Sequence, residues 1–283
     1  MTDHTRPEVI ADRFVIGRRL ARTAHSIVDL AYDTRDEQPV VIKRLSPTSR
    51  SMSLRDAARA FRREIEIVQA LPAMGGDAWE SFPRFITMGC HRHGYYYVQS
   101  YIPGQTLAQL LAAGRPPDAL TIAINLCHVL RVLHAHGIIH GDLHPQNIIV
   151  GRHGEVALID FGLSRYRYQV TPELRGIGRP VYTPPEQLAG WPLDERSDFF
   201  ALGGVLCDLL DVAQLPSTTQ YLIECMLDPF PANRRMTLAA LQAELEAARY
   251  EPLLPQPLSW VVNGLIIISI AIIALFYLAL VWR

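Results

Sequence analysis

Residues 138–150 read IIHGDLHPQNIIV, and residues 157–164 read ALIDFGLS. In the first stretch, two apolar runs of strand character bracket a polar loop that holds Asp142 and Asn147. In the second, an apolar run delivers Asp160, Phe161 and Gly162. Two carboxylates and one carboxamide at this spacing can hold a magnesium ion and orient a hydroxyl nucleophile. Phosphoryl transfer from ATP requires both.

A third stretch lies upstream. Residues 39–45 read PVVIKRL, in a chain with 27 lysines and arginines together, of which Lys43 is the single lysine. A compact ammonium on a flexible stem suits a site that a planar, forked guanidinium does not.

The hydrophobic pattern changes along the chain. Apolar runs at 13–20, 27–33 and 40–45 predict strands, and 84–90 and 95–101 predict a further pair around a turn at 91–94. Between them, 54–71 predicts a helix with Ala57, Phe61, Ile65 and Val68 on one face. After Pro103 and Gly104 the pattern is helical, over 107–114, 120–136, 199–210, 219–227 and 238–248. The organisation expected is a tail at 1–11, a strand-rich lobe at 12–101 and a helix-rich lobe at 102–250, then a linker at 251–258 and a membrane helix at 259–282.

Taken in order, these stretches resemble the protein kinase superfamily, and its bacterial Ser/Thr members in particular, over about residues 12–250. HGDLHPQN is similar to the catalytic loop, IDFG to the magnesium loop and VVIK to the lysine strand. FRRE at 61–64 is similar to the segment bearing the helix glutamate, and GRPVYTPPE at 178–186 to the end of an activation segment. SDFFALG at 197–203 and DPFPANRRMT at 228–237 resemble two later helical motifs. The fold implied is α+β and bilobal, with a β-rich N-lobe and an α-rich C-lobe.

The resemblance implies roles residue by residue. Lys43 grips the α- and β-phosphates of ATP and pairs with Glu64. Asp142 aligns the acceptor hydroxyl and takes its proton, while Asn147 and Asp160 hold Mg²⁺ or Mn²⁺. Ala21, Val28 and Ile102 are implied nucleotide contacts. His140 reads as a packing and hydrogen-bonding residue of the loop, and metal ligation by His134, His136, His140 and His144 is not expected.

Three positions depart from the family pattern. In LARTAHSIV (20–28), Ala21, Thr23 and Ser26 stand where the family usually has glycines, which limits the approach of backbone N–H groups to phosphates. Gly141 replaces an arginine that normally receives a phosphorylated activation segment, which implies activity without that phosphorylation; Thr171 and Ser164 are candidate modification sites. His144 replaces the usual lysine, and Arg179 the threonine that normally touches it. Arg179 is expected to supply the missing positive charge.

Composition narrows the setting. A formal net charge of −1 gives no basic excess for nucleic-acid binding. Cys90, Cys127, Cys207 and Cys225 are scattered and read as buried thiols in a reducing compartment. Residues 260–282 carry no charge, and a helix of that length spans roughly 34 Å, enough to cross a bilayer. Trp260, Tyr277 and Trp282 suit interfacial positions. With no apolar opening run, the lobes are expected on the cytoplasmic side of the cell membrane, as a single-pass protein.

The leading reading is a membrane-anchored Ser/Thr-type kinase that acts in signalling on protein substrates, including a second copy in trans. Two alternatives stand beside it. The missing glycines motivate a pseudokinase scaffold with weak or no ATP turnover. Gly141 and His144 motivate a small-molecule phosphotransferase, because HGDLHP is also the form seen in kinases of small molecules, such as the aminoglycoside and choline types.

Overall fold

A computed structural model describes residues 8–22, 26–46, 53–71, 81–91, 94–114, 116 and 118–249. They form two compact units, one comprising the described residues up to 71 with Phe82–Ile102, the other Ser81 and the described residues from Pro103 on.

The first unit is built on a six-stranded antiparallel sheet. Its strands are β1 (Val9–Ile10), β2 (Phe14–Arg22), β3 (Ser26–Asp33), β4 (Gln38–Leu45), β5 (Phe85–His91) and β6 (Gly94–Ser100), in the order β1-β2-β3-β4-β6-β5. Alternation along β4 sends Val40 and Ile42 to one face, where they pack with Ile10, Phe14, Ala31 and Val98. Lys43 and Leu45 fall on the other face, beside Phe61, Ile65 and Tyr97. Helix α1 (Leu54–Ala70) supplies Phe61 and Ile65, and Ser53 caps it by accepting the Asp56 backbone N–H. Its predicted inner face, Ala57, Phe61, Ile65 and Val68, is buried.

Residues 1–11 were expected as a tail, yet Val9 and Ile10 pair with Val15 and Phe14 of β2. The reason is apolar: Ile10 is fully enclosed in the core beneath the sheet. A two-residue strand leaves too little alternation to detect in sequence. Ile102, expected to open the helical lobe, groups with the sheet.

The second unit contains α2 (Leu107–Ala113), α3 (Ala119–Ala135), α4 (Pro185–Ala189), α5 (Glu195–Leu209), α6 (Ser217–Met226) and α7 (Leu238–Ala248). Five short strands punctuate it: β7 (Gln105–Thr106), β8 (Ile138–Ile139), β9 (Ile148–Val150), β10 (Val156–Leu158) and β11 (Arg165–Tyr166). β9 pairs with β10 and β7, and β8 with β11. Helix α5 begins four residues before its predicted start at 199, because the Asp194 side chain accepts the Arg196 N–H and caps it. From Ser197 to Leu206 it is buried on every side, so its polar Asp198 must find partners inside the unit.

The linker at 251–258, the membrane segment at 259–282 and Thr23 lie outside the described residues. Among the described residues, no helix is long and apolar enough to cross a membrane.

Candidate active site

In the first unit, the strand register places one row of residues on a single face. Ala21 pairs with Val28, Val28 with Lys43 and Lys43 with Tyr97, so all four side chains leave the same side of the sheet. Helix α1 brings Glu64 to that side. The Lys43 Nζ lies 2.6 Å from Glu64 Oε1, and the Tyr97 hydroxyl donates to the same oxygen at 2.9 Å. All three side chains are buried. The lysine, the helix glutamate, Ala21 and Val28 thus share one surface; Ile102 is half-buried at the end of this unit.

In the second unit, β8 and β9 bracket the loop 140–147, and β10 leads to Asp160. The pairing of Leu158 with Ile148, and a bond from the Ile159 N–H to the Asn147 carbonyl at 3.0 Å, bring the two stretches together. Asn147 Nδ2 donates to the Asp142 backbone oxygen at 2.9 Å and to Asp142 Oδ2 at 3.1 Å. Because both acceptors are oxygens, the amide orientation follows, and Asn147 Oδ1 points away from them. Asp160 adopts φ +64°, and its Oδ1 accepts the Gly162 N–H at 3.2 Å. A carboxamide oxygen and a carboxylate on adjoining segments are hard donors suited to magnesium, which takes one or two carboxylates and fills its shell with phosphate oxygens and water. The residues present therefore fit the metal that the resemblance implies.

The loop backbone is held from below by Asp198, a role the sequence did not reveal although SDFFALG marked the helix. Its Oδ2 accepts the His140 N–H at 2.8 Å and faces His134 Nε2 at 2.8 Å, while Oδ1 accepts the Gly141 N–H at 2.9 Å. Burial alone would raise the Asp198 pKa, but His134, the nearby His140 and the Gly141 N–H hold it below the ordinary carboxylate value. Burial likewise pushes the His140 imidazole down, against the pull of Asp198, Asp142 and Asp160. His140 is a packing residue: its ring lies 5.1 Å from that of Phe161 in a tilted contact, and its Nδ1 accepts the Asp142 N–H.

Gly141 has a steric reason. Its φ is +71°, and a Cβ there would meet the Leu163 carbonyl at 2.8 Å. Beside it lies the buried Arg165, whose guanidinium donates to the Leu163 carbonyl and to Thr171 Oγ1 at 2.6 Å. An arginine from within the activation segment thus grips an unmodified threonine. Ser164 is also enclosed and donates to the His140 carbonyl at 2.7 Å. Both candidate modification sites are buried hydroxyls.

The Arg179 charge acts on Tyr182, the residue beside His144. Among the described residues no hydrogen bond or ion pair joins Arg179 to His144; the Arg179 backbone N–H donates to Thr183 Oγ1 at 2.6 Å, and Arg179 itself is exposed. The ring facing His144 is Tyr182, at 6.1 Å. The segment is tied to the loop by Gln187, whose Nε2 donates to the Gly141 carbonyl at 2.7 Å. Glu186 anchors its end through Arg234.

The protein kinase domain family matches residues 14–227. A probable serine/threonine-protein kinase of Streptomyces coelicolor is 32% identical over 219 residues, covering 73% of this chain and 31% of that protein. The serine/threonine-protein kinase PknB of Mycolicibacterium smegmatis is 31% identical over 271 residues, covering 89% of this chain and 41% of its own. The dual specificity testis-specific protein kinase 1 of Mus musculus is 37% identical over 150 residues, 49% of this chain and 24% of that protein. The chain thus spans less than half the length of each.

Proposed function

Because this chain belongs to the protein kinase family, we propose that it transfers the γ-phosphoryl group of ATP to serine or threonine hydroxyls of proteins. The observation that carries the reading is the state of Asp142. One of its oxygens is held by Asn147, while among the described residues no group is hydrogen-bonded to Oδ1. A carboxylate so oriented can accept the proton of an acceptor hydroxyl as that oxygen attacks phosphorus.

The other residues divide the remaining work. Lys43, oriented by Glu64 and Tyr97, offers its ammonium to the nucleotide's phosphate oxygens. Asn147 and Asp160 would hold magnesium, which when bound neutralises phosphate charge. Asp198 fixes the backbone on which Asp142 sits. The latched activation segment supports a protein substrate, since Arg165 grips Thr171 near its start while Gln187 and Arg234 tie down its end.

The same proposal includes a single membrane span from the uncharged run at 260–282, with the kinase units on the cytoplasmic side and a signalling role. Confinement to a membrane raises the local concentration of membrane-bound substrates and of a second copy, which favours autophosphorylation in trans. A scaffold with little turnover is the second reading, supported by the side chains that Ala21 and Ser26 retain at the ends of β2 and β3.

Full-length protein in lipid nanodiscs, given labelled ATP with Mg²⁺ or Mn²⁺, tests these readings together. Label in the chain or in generic protein substrates, absent from Asp142→Asn, supports the kinase. Label only in small alcohols would favour the small-molecule reading, and none at all the scaffold. Carbonate-resistant membrane association of the whole chain, lost on truncation after residue 257, tests the anchor.

A further inference from the structure

His144 occupies the loop position where the family usually has lysine, and its ring is fixed from two sides. The side chain is almost wholly enclosed, at 2% exposure. Its Nδ1 accepts the Gln146 backbone N–H at 3.2 Å, capping the short 3₁₀ turn Pro145–Asn147. A ring nitrogen that accepts carries no proton, so the ring hydrogen sits on Nε2. That nitrogen lies 3.6 Å from Asp142 Oδ2, the oxygen that Asn147 Nδ2 also approaches at 3.1 Å. The Tyr182 ring covers the imidazole from the activation segment.

We propose that His144 is a positioning residue for Asp142, its Nε2–H facing Oδ2 so that Oδ1 is the oxygen presented to the acceptor hydroxyl. The inference rests on the kinase reading and deepens it. A lysine here would bring a flexible cation with three donors. The imidazole brings one donor in one direction, set by the backbone cap on its other nitrogen. At 3.6 Å the contact is longer than a hydrogen bond, so His144 biases the carboxylate rather than locking it. Asn147 supplies the firm bond to the same oxygen. The two donors select between carboxylate oxygens, and a base that presents one fixed oxygen holds the acceptor in a narrower range of attack angles.

The two ring nitrogens can be tested separately. In His144→Asn, the amide oxygen can still accept the Gln146 N–H, so the cap is kept while the donor to Asp142 is lost. The expected result is a fall in kcat of about tenfold or more, with KM for ATP and the melting temperature close to wild type. His144→Gln, which carries an amide nitrogen near the place of Nε2, should recover most of that loss. An His144→Asn protein with wild-type kcat overturns the positioning role, as does one in which only stability falls. No transfer by the wild-type chain overturns the kinase reading and this role with it. Histidine ¹⁵N shifts report the tautomer independently of turnover, and a hydrogen on Nδ1 of His144 would overturn the assignment.

Discussion

The Lys43 ammonium lies 2.6 Å from Glu64 Oε1, with both side chains almost fully enclosed. Removing two charges from water costs several kcal/mol per ion, and good geometry with added hydrogen bonds is needed to offset that. Tyr97 supplies such a bond to the same oxygen, and the strand pair Lys43–Tyr97 places the hydroxyl there. A guanidinium in this space would have to fit a wider, planar group against Tyr97 and Phe61, whose rings lie 5.4 Å apart. Lys43→Arg, which keeps the charge, is therefore expected to lose about 100-fold or more in transfer rate, on the scale of a lost electrostatic donor. Incorporation of labelled phosphate, alongside a melting curve to show that the protein folds, checks this. Wild-type transfer by the variant would make the single lysine an accident of composition.

Asp142→Asn keeps the shape of the side chain and removes its basicity. The Asn147 bond to the Asp142 backbone carbonyl does not depend on the carboxylate, so the loop should remain in place. Transfer is expected to fall by about 10²–10⁴-fold, the usual contribution of a positioned general base. The melting temperature should change by only a few degrees. A larger thermal effect than catalytic effect would assign Asp142 a structural role.

The chemistry of this chain was legible because it is local. Asp142 and Asn147 share one loop, Asp160 follows one strand later, and apolar runs mark the strands that carry them. The single lysine stood out by composition alone. What holds these residues was not legible, because it depends on partners far apart in sequence. Asp198 reaches back to His134 and His140, and Gln187 reaches to Gly141. Gly141 looked like the loss of an arginine; the structure gives it a conformational reason and places Arg165 beside it. Apolar spacing misses the start of helix α5 because its first turn is polar and its signal is the cap at Asp194.

Glu186 and Arg234 form a bidentate buried pair, at 2.7 and 3.1 Å, with Ser197 Oγ donating to the same carboxylate at 2.9 Å. The guanidinium also lies over the Phe200 ring at 4.9 Å. Arg234→Met would leave an uncompensated carboxylate in the interior, expected to cost about 3–5 kcal/mol. Urea unfolding measures it. Adding Glu186→Gln to Arg234→Met should return part of the loss, since the buried charge is then gone; no recovery would mean that packing on Phe200, not charge, dominates.

Asp198 gives a pH dependence with a definite sign. Its folded pKa lies below the ordinary carboxylate value. A carboxyl depressed on folding contributes stability that is complete above its unfolded pKa, about 3.9, and is lost as pH falls through the folded value. Wild-type stability should therefore decline steadily below about pH 4. Asp198→Asn should be less stable than wild type at pH 7, with the difference shrinking as pH falls into that range. Parallel urea titrations of the two proteins at stepped pH test this, and a constant difference across the range would rule out the carboxylate as its source.

Gly141 is the position at which restoring the family's usual residue should do harm. Its φ of +71° is disfavoured for any side chain, and the Leu163 carbonyl stands 2.8 Å from where a Cβ would be. Its N–H and carbonyl are both used, by Asp198 and Gln187, so the backbone cannot relax without breaking those bonds. Gly141→Ala is expected to cost about 1–3 kcal/mol, the range for a strained backbone position. Because Asp142 is the next residue, kcat should fall more than KM for ATP rises. Gly141→Arg should be worse than alanine on both measures, since its guanidinium competes with Arg165 for the space beside Leu163. An arginine variant as active as wild type, or more so, would show that the loop can take a side chain and that Arg165 does not stand in for it.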